Sequence, residues 1–170
     1  QKALDGVGIT AILRDEDAIV RSVQAYDTYQ GQVYYHWAFE LARQYLGVEP
    51  PSGLTGFSLG FNGRTVPLVR TNRMLVDYAR PPVTFPTYPA ADVHDGITLE
   101  QDPEAFRGKI VLLGATSLSL QDIYPTPFSS LEPTPGVEIV ANAVNTIIHG
   151  TYLRVVERLP GRRIKVRFMH

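Results

Sequence analysis

The sequence predicts an α/β fold: a single layered domain with a mixed central sheet and flanking helices. Three observations carry that prediction. Residues 110–113, Ile-Val-Leu-Leu, form an unbroken apolar run between Gly108 and Gly114, which suits a strand covered on both faces. Residues 32–46 and 136–148 instead place apolar side chains at helical spacing. Asn62-Gly63 joins two short β-rich runs, and that dipeptide fits the positive dihedrals of a type I′ hairpin turn.

Taken in order, residues 8–13 and 18–23 are β-rich segments around the acidic turn Arg14-Asp15-Glu16-Asp17, which predicts a hairpin with a solvated tip. The turn lacks the ligand spacing of a calcium loop. In the first helical stretch Tyr34, Trp37, Ala38, Leu41, Ala42 and Tyr45 share one face, and Gly47 supplies the stop. His36 falls off that stripe without a metal partner at i+4, which predicts surface or boundary packing. Residues 50–53 break the order before the Asn62-Gly63 hairpin. Residues 74–78 predict another strand. Pro81, Pro82, Pro86 and Pro89 make residues 79–89 an extended connector. Residues 88–93 predict a short helix with Asp92 near its start. In the last helix Val137, Val140, Val144, Ile147 and Ile148 form the expected buried stripe, opposite Glu138, Asn142, Asn145 and His149, with Gly150 as terminator.

The 170 residues are 44% hydrophobic and 19% charged, enough apolar material for one core. There is no Cys, which removes disulfides and thiolate metal sites, and the four His lack zinc-like spacing. Charge is uneven. Residues 1–150 carry 10 Lys and Arg against 16 Asp and Glu, whereas the last 20 residues carry 6 basic groups and one Glu. An acidic body disfavours nucleic acid, so none is expected as a partner. The expected organisation is one folded body over residues 1–153 and a basic tail over 154–170. No run approaches the ~18 apolar residues of a spanning helix. An opening at Gln1 without Met fits an excised piece of a longer protein.

Chemistry candidates centre on Gly114-Ala115-Thr116-Ser117, where small residues at a strand's carboxyl end let backbone amides approach a ligand. Neither a dinucleotide fingerprint nor a phosphate loop is present, and a compact turn accounts for the same residues. Asp92 and Asp122 are the carboxylates expected nearest that turn, either as an acid/base pair or as loop-bracing acceptors. Asn142 is a further polar candidate on its helix, where a solvated face explains it equally. Ser117 lies in no nucleophile elbow, so no catalytic residue, metal or cofactor is expected.

The blocks FRGKIVLLGATSLSLQDIYPTPF from Phe106 and PGVEIVANAVNTIIHG from Pro135 resemble the carboxyl-terminal half of a type-two CHASE domain. TFPTYPAADV at Thr84, ILRDEDAIVR at Ile12 and YYHWAFELARQYLG at Tyr34 follow the same family order, over residues 10–153. Positions matching its characteristic strings are Asp92, Gly114, Ala115, Thr116, Asp122, Thr126, Pro127, Phe128, Pro135, Gly136, Glu138, Asn142 and Ala143. The resemblance implies an extracytoplasmic sensory module of a bacterial transmembrane protein, with a nucleotide cyclase or a protein kinase as output and no catalysis in this chain. It also implies membrane segments outside this sequence and an unknown small-molecule or protein signal. An earlier portion of the domain is expected to be absent and to act as a partner, and a homodimer is a further expected arrangement. One departure is Pro89, where the family commonly has a Ser able to cap the following helix. Two other classes stay open from the residues alone. One is a small α/β enzyme acting on a phosphorylated or acyl substrate. The other is an interaction module using Trp37 and Tyr45.

Overall fold

The computed structural model describes residues 6–78, 85–128 and 133–155. Strands β1 (Ser22–Gln24), β2 (Tyr26–Tyr29) and β3 (Gln32–Tyr35) precede helix α1 (Trp37–Leu46). Strands β4 (Ser58–Phe61), β5 (Arg64–Pro67) and β6 (Arg73–Leu75) follow, then the short helices α2 (Ala90–His94) and α3 (Ile97–Gln101). Strands β7 (Ile123–Tyr124) and β8 (Thr134–Pro135) lead into α4 (Gly136–His149).

The α/β class holds, with a different sheet. Among the described residues the strands pair as four two-stranded antiparallel sheets: β1 with β6, β2 with β3, β4 with β5, and β7 with β8. The expected mixed character survives only as single bridges. Ile12 pairs antiparallel with Val23, and Ile9 pairs parallel with His36. The first predicted hairpin is therefore reduced to the Ile12–Val23 bridge, because β1 gives its ladder to β6, with Val23 opposite Met74. Its acidic tip is also not simply solvated. Asp15 collects Arg21, Arg70 and Arg73 at 3.2, 3.8 and 3.4 Å, while Asp17 takes the other arm of Arg21 at 2.7 Å. That guanidinium holds the exposed Asp17 carboxyl down at about 2.

The Asn62-Gly63 turn forms as its chemistry dictates. Asn62 and Gly63 take φ of 49° and 71°, and Phe61 stands opposite Arg64. Both long helices end where a residue without Cβ permits it, at Gly47 with φ 66° and Gly150 with φ 67°.

The core lies between α1 and α4, which pack on one another, and the strands beneath them. Phe39, Ile139, Leu59, Met74, Val23 and Val66 are buried, and the Phe39 ring meets Phe61 edge-on at 5.5 Å. Burial of a ring such as Phe39 stabilises the fold by roughly 1.5–3 kcal/mol. The inward face of α1 is rotated from the expected stripe. Ala38, Phe39 and Ala42 are buried, Tyr34 belongs to β3, and Tyr45 is exposed.

His36 overturns the expectation of surface packing, for it is 0% exposed. It sits at the junction of β3 and α1, where its backbone N–H donates to the Ala25 carbonyl at 2.8 Å and Ile9 bridges it from the other side. Its Nδ1 accepts the Ala38 N–H at 3.2 Å, so the imidazole caps α1.

Residues 110–113 are not the interior strand that their composition predicts. They belong to no strand, and only alternate side chains point inward: Ile110 and Leu112 pack on the core, whereas Val111 and Leu113 are 59% and 83% exposed. One face of the segment is covered, not two. Part of the predicted connector, residues 79–84, and all of the tail beyond 155 lie outside the described residues. After the connector, Pro89 precedes α2 without a side-chain cap.

Candidate functional site

A groove of about 300 Å³ opens between the 113–114 backbone and the first turn of α4. Trp37, Gly114, Asp122, Tyr124, Gly136 and Val137 line it, brought from four separate stretches of chain. Two glycines make the close approaches. A Cβ on Gly114 would stand 2.5 Å from the Val137 Cβ, so the 114 backbone lies directly against α4. A Cβ on Gly136 would stand 2.5 Å from Asp122 Oδ1, so the carboxylate rests on the amino end of the helix. That end favours negative charge, and Pro135 before it offers no side-chain cap. The Asp122 carbonyl fixes the loop by accepting the Gly136 N–H at 2.9 Å.

Tyr124 stands beside that carboxylate. Burial raises the pKa of its hydroxyl, and the charge of Asp122 and a hydrogen bond to it raise it further. Arg14 lies over the Tyr124 ring at 5.5 Å and opposes the shift. On the opposite wall, the Trp37 indole N–H is closed off from solvent and has no acceptor among the described residues. The groove is thus a trough of mixed polar and apolar lining, with Asp122 as its one carboxylate.

Of the residues singled out from sequence, Gly114 and Asp122 meet in this groove. The others do not line it. Ser117 accepts the Ser119 N–H at 3.4 Å and shares a 2.8 Å hydrogen bond with the Ser119 hydroxyl, bracing a short 3-10 turn. Ala115 is half-buried and Thr116 exposed. Asp92 is carried on α2, which packs against α3, and does not line this groove. Asn142 is 2% exposed, which overturns the solvated-face reading. Its Nδ2 donates to the Glu138 carbonyl at 2.9 Å inside a helix covered on several sides. Trp37 was read from sequence as a helix-face or interaction residue and Val137 as part of a buried stripe, while Tyr124 was not singled out, because nothing local announces a shared wall.

A second depression, of about 410 Å³, lies over the β4–β5 hairpin and is lined by Glu49, Ser52, Asn62 and Arg64 among others. It contains none of the candidate residues, and its rim is largely turn backbone. Among the described residues no cluster of His, Asp or Glu is arranged to hold a metal ion, and no helix is long and apolar enough to cross a membrane.

Residues 1–166 match the family model of the CHASE2 domain, and the chain belongs to that family of extracellular sensory domains. The match is wider than the 10–153 span on which the sequence blocks resemble the family. No curated protein and no solved structure matches the chain.

Proposed function

We propose that this chain receives a signal on the extracytoplasmic side of a bacterial membrane and passes it to a cytoplasmic nucleotide cyclase or protein kinase. The membrane-spanning segments belong to parts of the parent protein outside this sequence. Membership of the CHASE2 family carries this reading, because that family is sensory and extracellular.

The groove at Gly114 and Asp122 is the sensing site of this proposal. Its volume is at the small end of ligand pockets, and its lining of apolar side chains, the Thr10 and Tyr124 side chains and one carboxylate fits a compact molecule bearing a hydrogen-bond-donating or cationic group. Such a ligand would wedge between the 113–114 backbone and α4. Signalling follows only if it binds one arrangement of those two elements more tightly than the other, with a coupling of roughly 1–3 kcal/mol typical of allosteric effectors.

A thermal-shift screen of small amines, amino acids and polyols, followed by calorimetry on the hits, tests the site. Asp122→Asn keeps the side-chain shape but removes the charge, and it should weaken a cationic hit by about tenfold or more. A hit bound equally well by both proteins refutes the groove. The receptor assignment fails separately if the open reading frame that contains this sequence encodes no membrane-spanning segment.

A further inference from the structure

Arg14 and Asp122 are the two charges left over where the acidic turn meets the groove. Asp15 takes Arg21, Arg70 and Arg73 at 3.2, 3.8 and 3.4 Å, Asp17 takes Arg21 at 2.7 Å, and Glu16 takes Arg70 at 3.7 Å. Arg14 takes none of these carboxylates, although it directly precedes them in the chain. Its guanidinium is turned instead to the Tyr124 ring, 5.5 Å from the centroid, and it forms no ion pair among the described residues. Asp122 is the matching case. It is half-buried, the groove around it is lined by no Lys or Arg, and it too has no ion pair among the described residues. The Tyr124 hydroxyl is hydrogen-bonded to it. One tyrosine therefore carries a guanidinium over its ring and a carboxylate at its hydroxyl, and the two charges do not pair with each other.

We propose that these two charges select a zwitterion, an α-amino acid with an aliphatic side chain, and that Arg14 is the residue that takes its carboxylate. The proposal rests on the groove being the sensing site. An ammonium group on Asp122 and a carboxylate on Arg14 both make charge-assisted hydrogen bonds, the second in the two-pronged geometry that a guanidinium offers. Molecules with one charge do worse, each for its own reason. A simple amine satisfies Asp122 and leaves Arg14 without a partner. A simple carboxylic acid reaches Arg14 only by bringing a second negative charge toward Asp122. A neutral polyol compensates neither charge. Ile12, Val137 and Val140 supply apolar wall for the ligand's side chain, and a volume of about 300 Å³ keeps that side chain small.

Calorimetry with matched probes reads the two charges separately: L-leucine, isoamylamine, which lacks its carboxylate, and isocaproate, which lacks its ammonium. Leucine should bind the parent about tenfold or more tightly than either fragment. Arg14→Gln should reduce the preference of leucine over the amine to about twofold or less, and Asp122→Asn should do the same to its preference over the acid. Arg14 is exposed, so the melting temperature of Arg14→Gln should stay near that of the parent, which separates lost recognition from lost folding. Leucine bound no better than isoamylamine, or a preference that survives Arg14→Gln, overturns the proposal. The groove itself still stands in that case if isoamylamine binding weakens in Asp122→Asn. A parent that does not bind leucine also overturns the proposal, and the groove falls with it only if no hit of the broader screen weakens in Asp122→Asn.

Discussion

Acidification from about pH 8 to about pH 4 tests the placement of His36, because its burial makes folding depend on the imidazole staying neutral. Desolvation lowers its pKa from 6.5 to about 4. Its Nδ1 accepts the Ala38 N–H, so the ring proton resides on Nε2, which has no partner among the described residues. A second proton would occupy the capping position and place a charge in the core. Between these two values the unfolded chain binds the proton and the folded chain does not, so stability falls as pH falls. The contribution is complete above pH 6.5 and lost as the pH approaches 4. At 1.36 kcal/mol per unit, that interval corresponds to about 3 kcal/mol. The assay is urea denaturation of the parent and of His36→Asn at a series of pH values. Asn retains a capping oxygen but does not titrate. Carboxylates titrate in both proteins, so the difference in unfolding free energy isolates His36. That difference should move by about 3 kcal/mol against the parent between neutral pH and pH 4. Parallel curves for the two proteins would refute the argument.

Two further substitutions probe the contacts around α4. Gly114→Val inserts side-chain atoms where a Cβ already meets Val137 at 2.5 Å, and overpacking of this kind should cost about 1–3 kcal/mol in urea denaturation. An unchanged midpoint would show that the 114 backbone does not press on the helix. Thr146→Val keeps the shape of a fully buried residue but removes the hydroxyl, which accepts the Asp77 N–H at 3.0 Å and donates to the Asn142 carbonyl at 2.8 Å. A loss of about 1–3 kcal/mol is expected, together with faster exchange of the Asp77 amide.

The parts of the fold written in local chemistry were legible from sequence. The Asn62-Gly63 turn and the stops at Gly47 and Gly150 depend on which residues tolerate positive φ, a property of a few neighbouring atoms. Residues 110–113 were legible only in part. Their composition reports β-propensity and a need for burial, but which edges pair is decided by the rest of the chain. His36 was misplaced because helical periodicity describes α1 alone, whereas the residue lies where β3 meets the helix and is enclosed from both sides. Asn142 failed for a related reason: two-faced amphipathicity assumes one wet side, and α4 is covered on more than one. Within the site, Gly114 and Asp122 were found because small turns and carboxylates are distinctive in a sequence. Asp92 shared that signature and lies on α2, since a one-dimensional pattern holds no distances.

Helix α4 is tethered at both ends. Asp122 grips its first turn through the Gly136 N–H, and the Arg64 guanidinium donates to the His149 carbonyl at 2.7 Å at the other. Fourteen residues make a stiff lever about 21 Å long. The helix therefore links the groove at one end to the β4–β5 hairpin that carries Arg64 at the other, through one hydrogen bond at each end.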